Sequence, residues 1–262
     1  MILSVIVTKG GVGKTTVAVN LAAEYGSHGK KVLVVDLDAQ GNATLSLTGQ
    51  APQNFSGRAV FDMIRAYGIL ETEKFIHKSA TPNVDIIPST LMTEQLNEQL
   101  PILSKMFGQS KFTFIKSALE SVEDNYDIII IDTPPARGPI VISAICASDK
   151  VLIPLKPEEY CLEALKTTIG TINQYKDTEN PHVEVAGIVL SLVENTALTK
   201  SLRQMLLRSE QADLLMSSEI RKAQVINEST VMKMPVTIYK PNSNASLDFE
   251  ALYKEISERM KV

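Results

Sequence analysis

Thr8-Lys9-Gly10-Gly11-Val12-Gly13-Lys14-Thr15-Thr16 decides how this chain is read. The apolar run Ile2–Val7 precedes it, and Thr15–Tyr25 follows with Val17, Leu21 and Ala22 on one helical face. Strand, glycine-rich loop and helix, in that order, are the setting a phosphate-binding loop requires. Glycines let the backbone curl so that several N–H groups aim at one phosphate. The helix N-terminus adds the positive end of its dipole. Lys14 is then placed to reach the β- and γ-phosphates and Thr15 to hold Mg²⁺, so ATP and Mg²⁺ are the expected ligands. The strict spacing G-x-x-x-x-G-K-[ST] fails at its first position, where Thr8 stands.

Further along the chain, apolar runs at Val32–Asp36, Val84–Ile87, Ile128–Asp132, Val151–Pro154 and Val185–Leu192 read as strands. Their consecutive apolar positions suit strands buried on both faces. Helical stripes lie between and after them, at Leu162, Leu165, Ile169 and Ile172 and at Phe249, Leu252, Ile256 and Met260. Val60–Tyr67 and Thr72–Lys78 read as short helices. This alternation predicts an α/β fold, a mostly parallel twisted sheet with helices on both faces, and the phosphate-binding loop makes it one of the P-loop NTPase kind. With no repeat and no linker, residues 1–262 are expected to form a single domain.

Three carboxylates fall at predicted strand ends. Asp132 ends the strand Ile128-Ile129-Ile130-Ile131, where a magnesium-associated carboxylate belongs in P-loop ATPases. Asp36 and Asp38 follow Val32-Leu33-Val34-Val35, over the sheet edge where open α/β sheets bind ligands.

Composition narrows the setting. Hydrophobic residues make up 44% and charged residues 21%, an ordinary globular balance. The apolar runs are too short to span a bilayer, and Met1–Val7 has neither a basic n-region nor a cleavage site, so a cytoplasmic protein without a membrane partner is expected. The two cysteines, Cys146 and Cys161, form no CxxC and are read as reduced core thiols. His28, His77 and His182 lack metal-ligand spacing and are expected at the surface.

The segment Lys9–Thr16 resembles the deviant Walker A motif of the ParA/MinD ATPases, with its extra lysine before the glycines. Asp36-Leu37-Asp38-Ala39-Gln40-Gly41-Asn42-Ala43-Thr44 resembles the family's switch I, with Ala39 in place of the usual proline. Tyr126–Pro135 resembles its Walker B strand and switch II, and Ile220-Arg221-Lys222 with Pro235–Ala245 the closing segment of partition ATPases. The resemblance implies nucleotide contacts from Lys9, Gly10, Gly11, Val12, Gly13, Lys14, Thr15 and Thr16. It implies an ATP-dependent sandwich homodimer in which Lys9, Lys14 and Asp38 are catalytic. Lys9 would cross to the partner's phosphates and Asp38 would orient the attacking water. Thr15 and Asp132 would serve Mg²⁺, the latter through water.

The same resemblance implies DNA partition or cargo positioning. The ATP-bound dimer would coat nucleoid DNA without sequence preference, and a cargo-bound ParB-like protein would stimulate hydrolysis and release. No N-terminal helix-turn-helix extension is seen, so sequence-specific repression is not expected. The residues from Thr196 to Lys240 carry seven basic and four acidic side chains, a net +3 in a chain of net −4. Lys200, Arg203, Arg221 and Lys222 are the DNA-contact candidates, since such segregation suits phosphate contact. Two other readings remain. A MinD-like membrane-cycling ATPase needs a basic amphipathic C-terminal helix, but that helix has mixed charges and is expected to pack on the domain. A metabolic relative, an iron–sulfur reductase or an amidoligase, needs cluster-ligating cysteines or a substrate pocket.

Overall fold

A computed structural model describes all residues, 1–262. The strands are β1 (Ile2–Val5), β2 (Val32–Asp36), β3 (His77–Lys78), β4 (Val84–Ile87), β5 (Ile128–Asp132), β6 (Lys150–Leu155), β7 (Glu184–Val193) and β8 (Leu215–Arg221). The helices are α1 (Lys14–Ser27), α2 (Asn42–Thr48), α3 (Val60–Arg65), α4 (Leu96–Phe107), α5 (Phe114–Glu120), α6 (Pro139–Ala147), α7 (Cys161–Lys176), α8 (Ala197–Leu207), α9 (Gln224–Val231), α10 (Val236–Tyr239) and α11 (Asn244–Met260).

One eight-stranded sheet runs β3-β4-β2-β5-β1-β6-β7-β8. All neighbours are parallel except β3 and β4. The alternation of side chains along each strand explains its apolar composition. Leu3 and Val5, Val32 and Val34, and Ile128 and Ile130 enter one core, with α1 and α11. Ile2, Leu33 and Val35, and Ile129 and Ile131 enter the other, with α3 to α8. Since both faces are covered, both sets of positions must be apolar.

The order also positions the site. The chain leaves β1, crosses over β5 to β2 and β4, then returns to β5 and continues to β6 on the other side of β1. The loop after β1 is therefore flanked by the strand that ends in Asp132, at the reversal point where open sheets bind ligands. Register pairs Val5 with Asp132 and Asp36 with Asp132.

Several expectations need correction. The first strand stops at Val5, although the Ile6 N–H still donates to the Leu152 carbonyl at 3.0 Å. Thr72–Lys78 is not a helix: a 3₁₀ turn covers Thr72–Phe75, and His77–Lys78 is an antiparallel edge strand on β4. β8 carries no strand signature in the sequence, because an edge strand that buries only Met216 and Ile220 carries Ser217, Ser218 and Glu219. The helix stripes at Leu165 and Ile172 and at Phe249, Leu252, Ile256 and Met260 are buried as expected.

Candidate functional site

Gly13 stands at the N-terminus of α1 with φ 84°, and Gly11 has φ 69°. Any other residue type is strained in that left-handed region, so the loop's turn requires them. No side chain caps α1. Its first N–H groups are left open for an anion. Lys14 is buried, and its Nζ donates to the Lys9 carbonyl at 2.8 Å. Burial lowers its pKa, while Asp132 and Asp38 oppose that effect. A phosphate in the loop would supply a negative partner for this buried ammonium.

Thr15 Oγ1 donates to Asp132 Oδ2 at 2.7 Å. Asp132 is fully buried, and its Oδ1 has no hydrogen-bond partner. An orphaned buried carboxylate oxygen beside a threonine hydroxyl fits a magnesium ion or one of its waters. Residues Thr15 and Asp132 therefore fit the group expected of them.

Asp36 lies next to Asp132 across the β2–β5 register and is also fully buried. Its Oδ2 accepts the Thr44 N–H at 2.8 Å and the Thr44 hydroxyl at 2.7 Å, and its Oδ1 accepts the Asp38 N–H at 3.1 Å. Asp36 is thus the anchor of the loop that presents Asp38. Burial pushes its carboxyl up to about 7 despite these bonds. Burial, then the neighbouring Asp36, pushes Asp132 well above the usual carboxylate range. Asp38 is half-buried, and its Oδ1 accepts only the Gln40 N–H, at 3.0 Å.

Lys9 does not face its own loop. Its Nζ pairs with Glu158 Oε1 at 2.8 Å and donates to the Glu159 carbonyl at 2.6 Å. Lys156 holds the other oxygen of Glu158 at 2.5 Å, and the two lysines together lower the Glu158 pKa. The sequence offered no signal for this contact, because Glu158 lies in a loop far along the chain.

The four DNA-contact candidates do not form one free cationic patch. Arg221 makes a bidentate pair with Asp248, with contacts of 2.6 and 3.0 Å, and its N–H donates to the same carboxylate. Arg203 pairs with Glu219, and Lys222 with Glu194. Lys200 is exposed and forms no ion pair. Cys146 and Cys161 are both buried, one in α6 and one at the start of α7. His28 stacks on Tyr253, and His77 Nε2 contacts the Arg58 carbonyl.

A family model, that of an AAA domain, matches residues 1–185. The chain is 32% identical to the sporulation initiation inhibitor protein Soj of Bacillus subtilis, over 98% of each. Its fold is similar to that of apo McdA of Cyanothece, with a TM-score of 0.84 at 21% identity over 99% of this chain and 98% of that one. It is also similar to cobyrinic acid a,c-diamide synthase of Mycobacterium smegmatis with bound ADP and magnesium, with a TM-score of 0.82 at 22% identity over 99% and 95%. These two likenesses speak for the fold. The family is shown by the 32% match with Soj along almost the whole chain, together with the family model over residues 1–185: this protein belongs to the ParA/MinD family of partition ATPases.

Proposed function

We propose that this chain, acting as one domain, is a Mg²⁺-dependent ATPase that positions a cargo by cycling between a monomer and an ATP-bound sandwich homodimer. The observation that carries the reading is the pair of lysines in one loop with opposite fates. Lys14 is buried in the loop, whereas Lys9 is held outside it by Glu158 and Glu159.

In this reading Lys14 exchanges the Lys9 carbonyl for phosphate oxygens, and the open N–H groups of the loop bind the same phosphates. Thr15, through its hydroxyl, and Asp132, through water, would hold Mg²⁺. Bound Mg²⁺ neutralises phosphate charge and orients the terminal phosphoryl group. Asp38 orients the attacking water. Lys9, once free of Glu158, reaches the nucleotide of a second copy and stabilises the charge that develops there.

Non-specific duplex DNA, a ParB-like stimulating protein and nucleoid association belong to the same proposal. The kinship with Soj and the net positive segment Thr196–Lys240 support it. The membrane-cycling alternative is disfavoured by α11, whose stripe Phe249, Leu252, Ile256 and Met260 is buried against the domain.

Size-exclusion chromatography with Mg²⁺ and a slowly hydrolysed ATP analogue tests the reading. Wild type should shift to a dimer. Lys9→Ala should bind the analogue and stay monomeric, and an unaltered dimer peak for this variant would remove Lys9 from the interface.

A further inference from the structure

The two loops that flank the proposed phosphate site share a wall. Leu37–Gln40 and Pro134–Gly138 face each other across a cavity of about 220 Å³, closed on its third side by Thr93, Glu94 and Asn97. Thr93 and Glu94 come from a short 3₁₀ turn, Leu91–Gln95, and Asn97 from the first turn of α4.

A chain of buried hydroxyls ties this turn to Asp36. Thr44 Oγ1 donates to Asp36 Oδ2 and accepts the Ser89 N–H at 2.9 Å. Ser89 Oγ donates to Thr93 Oγ1 at 2.8 Å, and Thr93 Oγ1 also accepts the Thr90 N–H at 3.1 Å. Asp36, Thr44, Ser89 and Thr93 are all 0% exposed. Well-packed apolar side chains could fill the same space at little cost in stability. A run of satisfied polar groups contributes directional geometry that apolar packing does not. At its far end Asp36 accepts the Asp38 N–H, so the run from Thr93 ends on the backbone of Asp38.

The same segment also holds the opposite loop. Asn97 Oδ1 accepts the Ile140 N–H in the first turn of α6 at 3.2 Å. A Cβ on Gly138 would stand 2.7 Å from that oxygen, so a residue without a side chain is what permits the close approach.

We propose that Thr93 and Asn97 are positioning residues for the hydrolytic step. Through Ser89, Thr44 and Asp36, Thr93 sets where Asp38 stands. Asn97 sets where the loop after Asp132 stands. One short segment thereby keeps both loops in register about the terminal phosphate. The proposal rests on the ATPase reading above. Asp38 has only the Gln40 N–H to hold its carboxylate, so it inherits its position from the backbone. A displacement of about 1 Å in a catalytic group can cost up to about 100-fold in rate.

Two measurements test it. The first needs no nucleotide. By hydrogen exchange, Thr93→Val should speed exchange in Leu37–Thr44 selectively, and Thr93→Ser should restore protection. Asn97→Ala should do the same for Gly138–Ile142, and Asn97→Asp, which keeps the acceptor, should restore it. Asn97 is half-buried, so its variants decide the matter if Thr93→Val does not fold. The second is turnover against ATP affinity. Both Thr93→Val and Asn97→Ala should lower kcat by roughly 10-fold or more with ATP affinity within about 2-fold. Unchanged exchange in both loops, or equal losses in affinity and kcat, would overturn the positioning role. Wild-type protein with no turnover would overturn the ATPase reading instead, while the exchange result would still decide whether these residues hold the loops.

Discussion

At the scale of single residues, charge and burial separate binding from turnover. Lys14 is buried and donates only to the Lys9 carbonyl, so in the proposed reading bound phosphate completes its charge compensation. Lys14→Gln should weaken ATP binding on the order of 100-fold, the equivalent of about 3 kcal/mol for a lost charge-assisted contact. A labelled ATP analogue in equilibrium binding gives the answer, and near wild-type affinity would remove the phosphate role. Asp38 is half-buried and holds nothing in the loop after β1. Asp38→Ala should therefore bind ATP normally and lose turnover by about 100-fold or more. Light scattering should then report a persistent ATP-dependent dimer, whereas normal phosphate release would assign the water to another group.

At the scale of elements, the parallel pairing of β2 with β5 places two buried carboxylates side by side. Both bind protons more tightly in the folded state than in the unfolded chain, since burial raises both pKa values. The contribution of this pair to stability is therefore greatest at low pH, and it falls as pH rises from the ordinary carboxylate value of 3.8 towards about 7, where Asp36 ionises in the folded state. Asp132→Asn can keep the Thr15 bond through its amide oxygen and removes one of the two charges. It should raise the melting temperature of the nucleotide-free protein at pH 8, by roughly 2–4 °C for each kcal/mol gained. The gain should shrink towards pH 4, and Mg²⁺-dependent nucleotide binding should weaken. Calorimetry across that pH range is the measurement, and a gain that does not vary with pH would mean that charge is not its cause.

At the scale of the whole molecule, α11 is part of the core. Phe249 is fully buried with Leu252 and Ile256, and Ser257 Oγ donates to the Tyr25 hydroxyl of α1 at 3.0 Å. Phe249→Ala should cost about 3–5 kcal/mol in urea denaturation. A loss under about 1 kcal/mol would show that the stripe can leave the domain, as a membrane-cycling helix must. Surface charge is arranged at the same scale. Arg221 is held by Asp248, so a charge reversal there would put two carboxylates together and disturb folding as well as any DNA contact. Lys200 has no ion-pair partner, so Lys200→Glu is the cleaner test of the proposed DNA contact. It should weaken binding to two unrelated duplexes alike and lower the salt slope by about 1. Equal anisotropy curves for variant and wild type would place that contact elsewhere.

The sequence by itself determined the parallel sheet, the loop after β1 and the carboxylates at the ends of β2 and β5. These features are local. An apolar run buried on both faces, a glycine turn and a strand-end aspartate each leave their mark within ten residues or so. It did not determine β3 or β8, whose edge positions make their composition polar, nor the helices between β4 and β5, where Pro101 interrupts the pattern of α4. Only the tertiary structure decided that Glu158 holds Lys9, that Asp248 holds Arg221, and that Thr93 and Asn97 stand against both loops. These contacts join residues distant in the chain. Their strength depends on burial and on hydrogen-bond geometry, and neither exists until the sheet has brought its strand ends together.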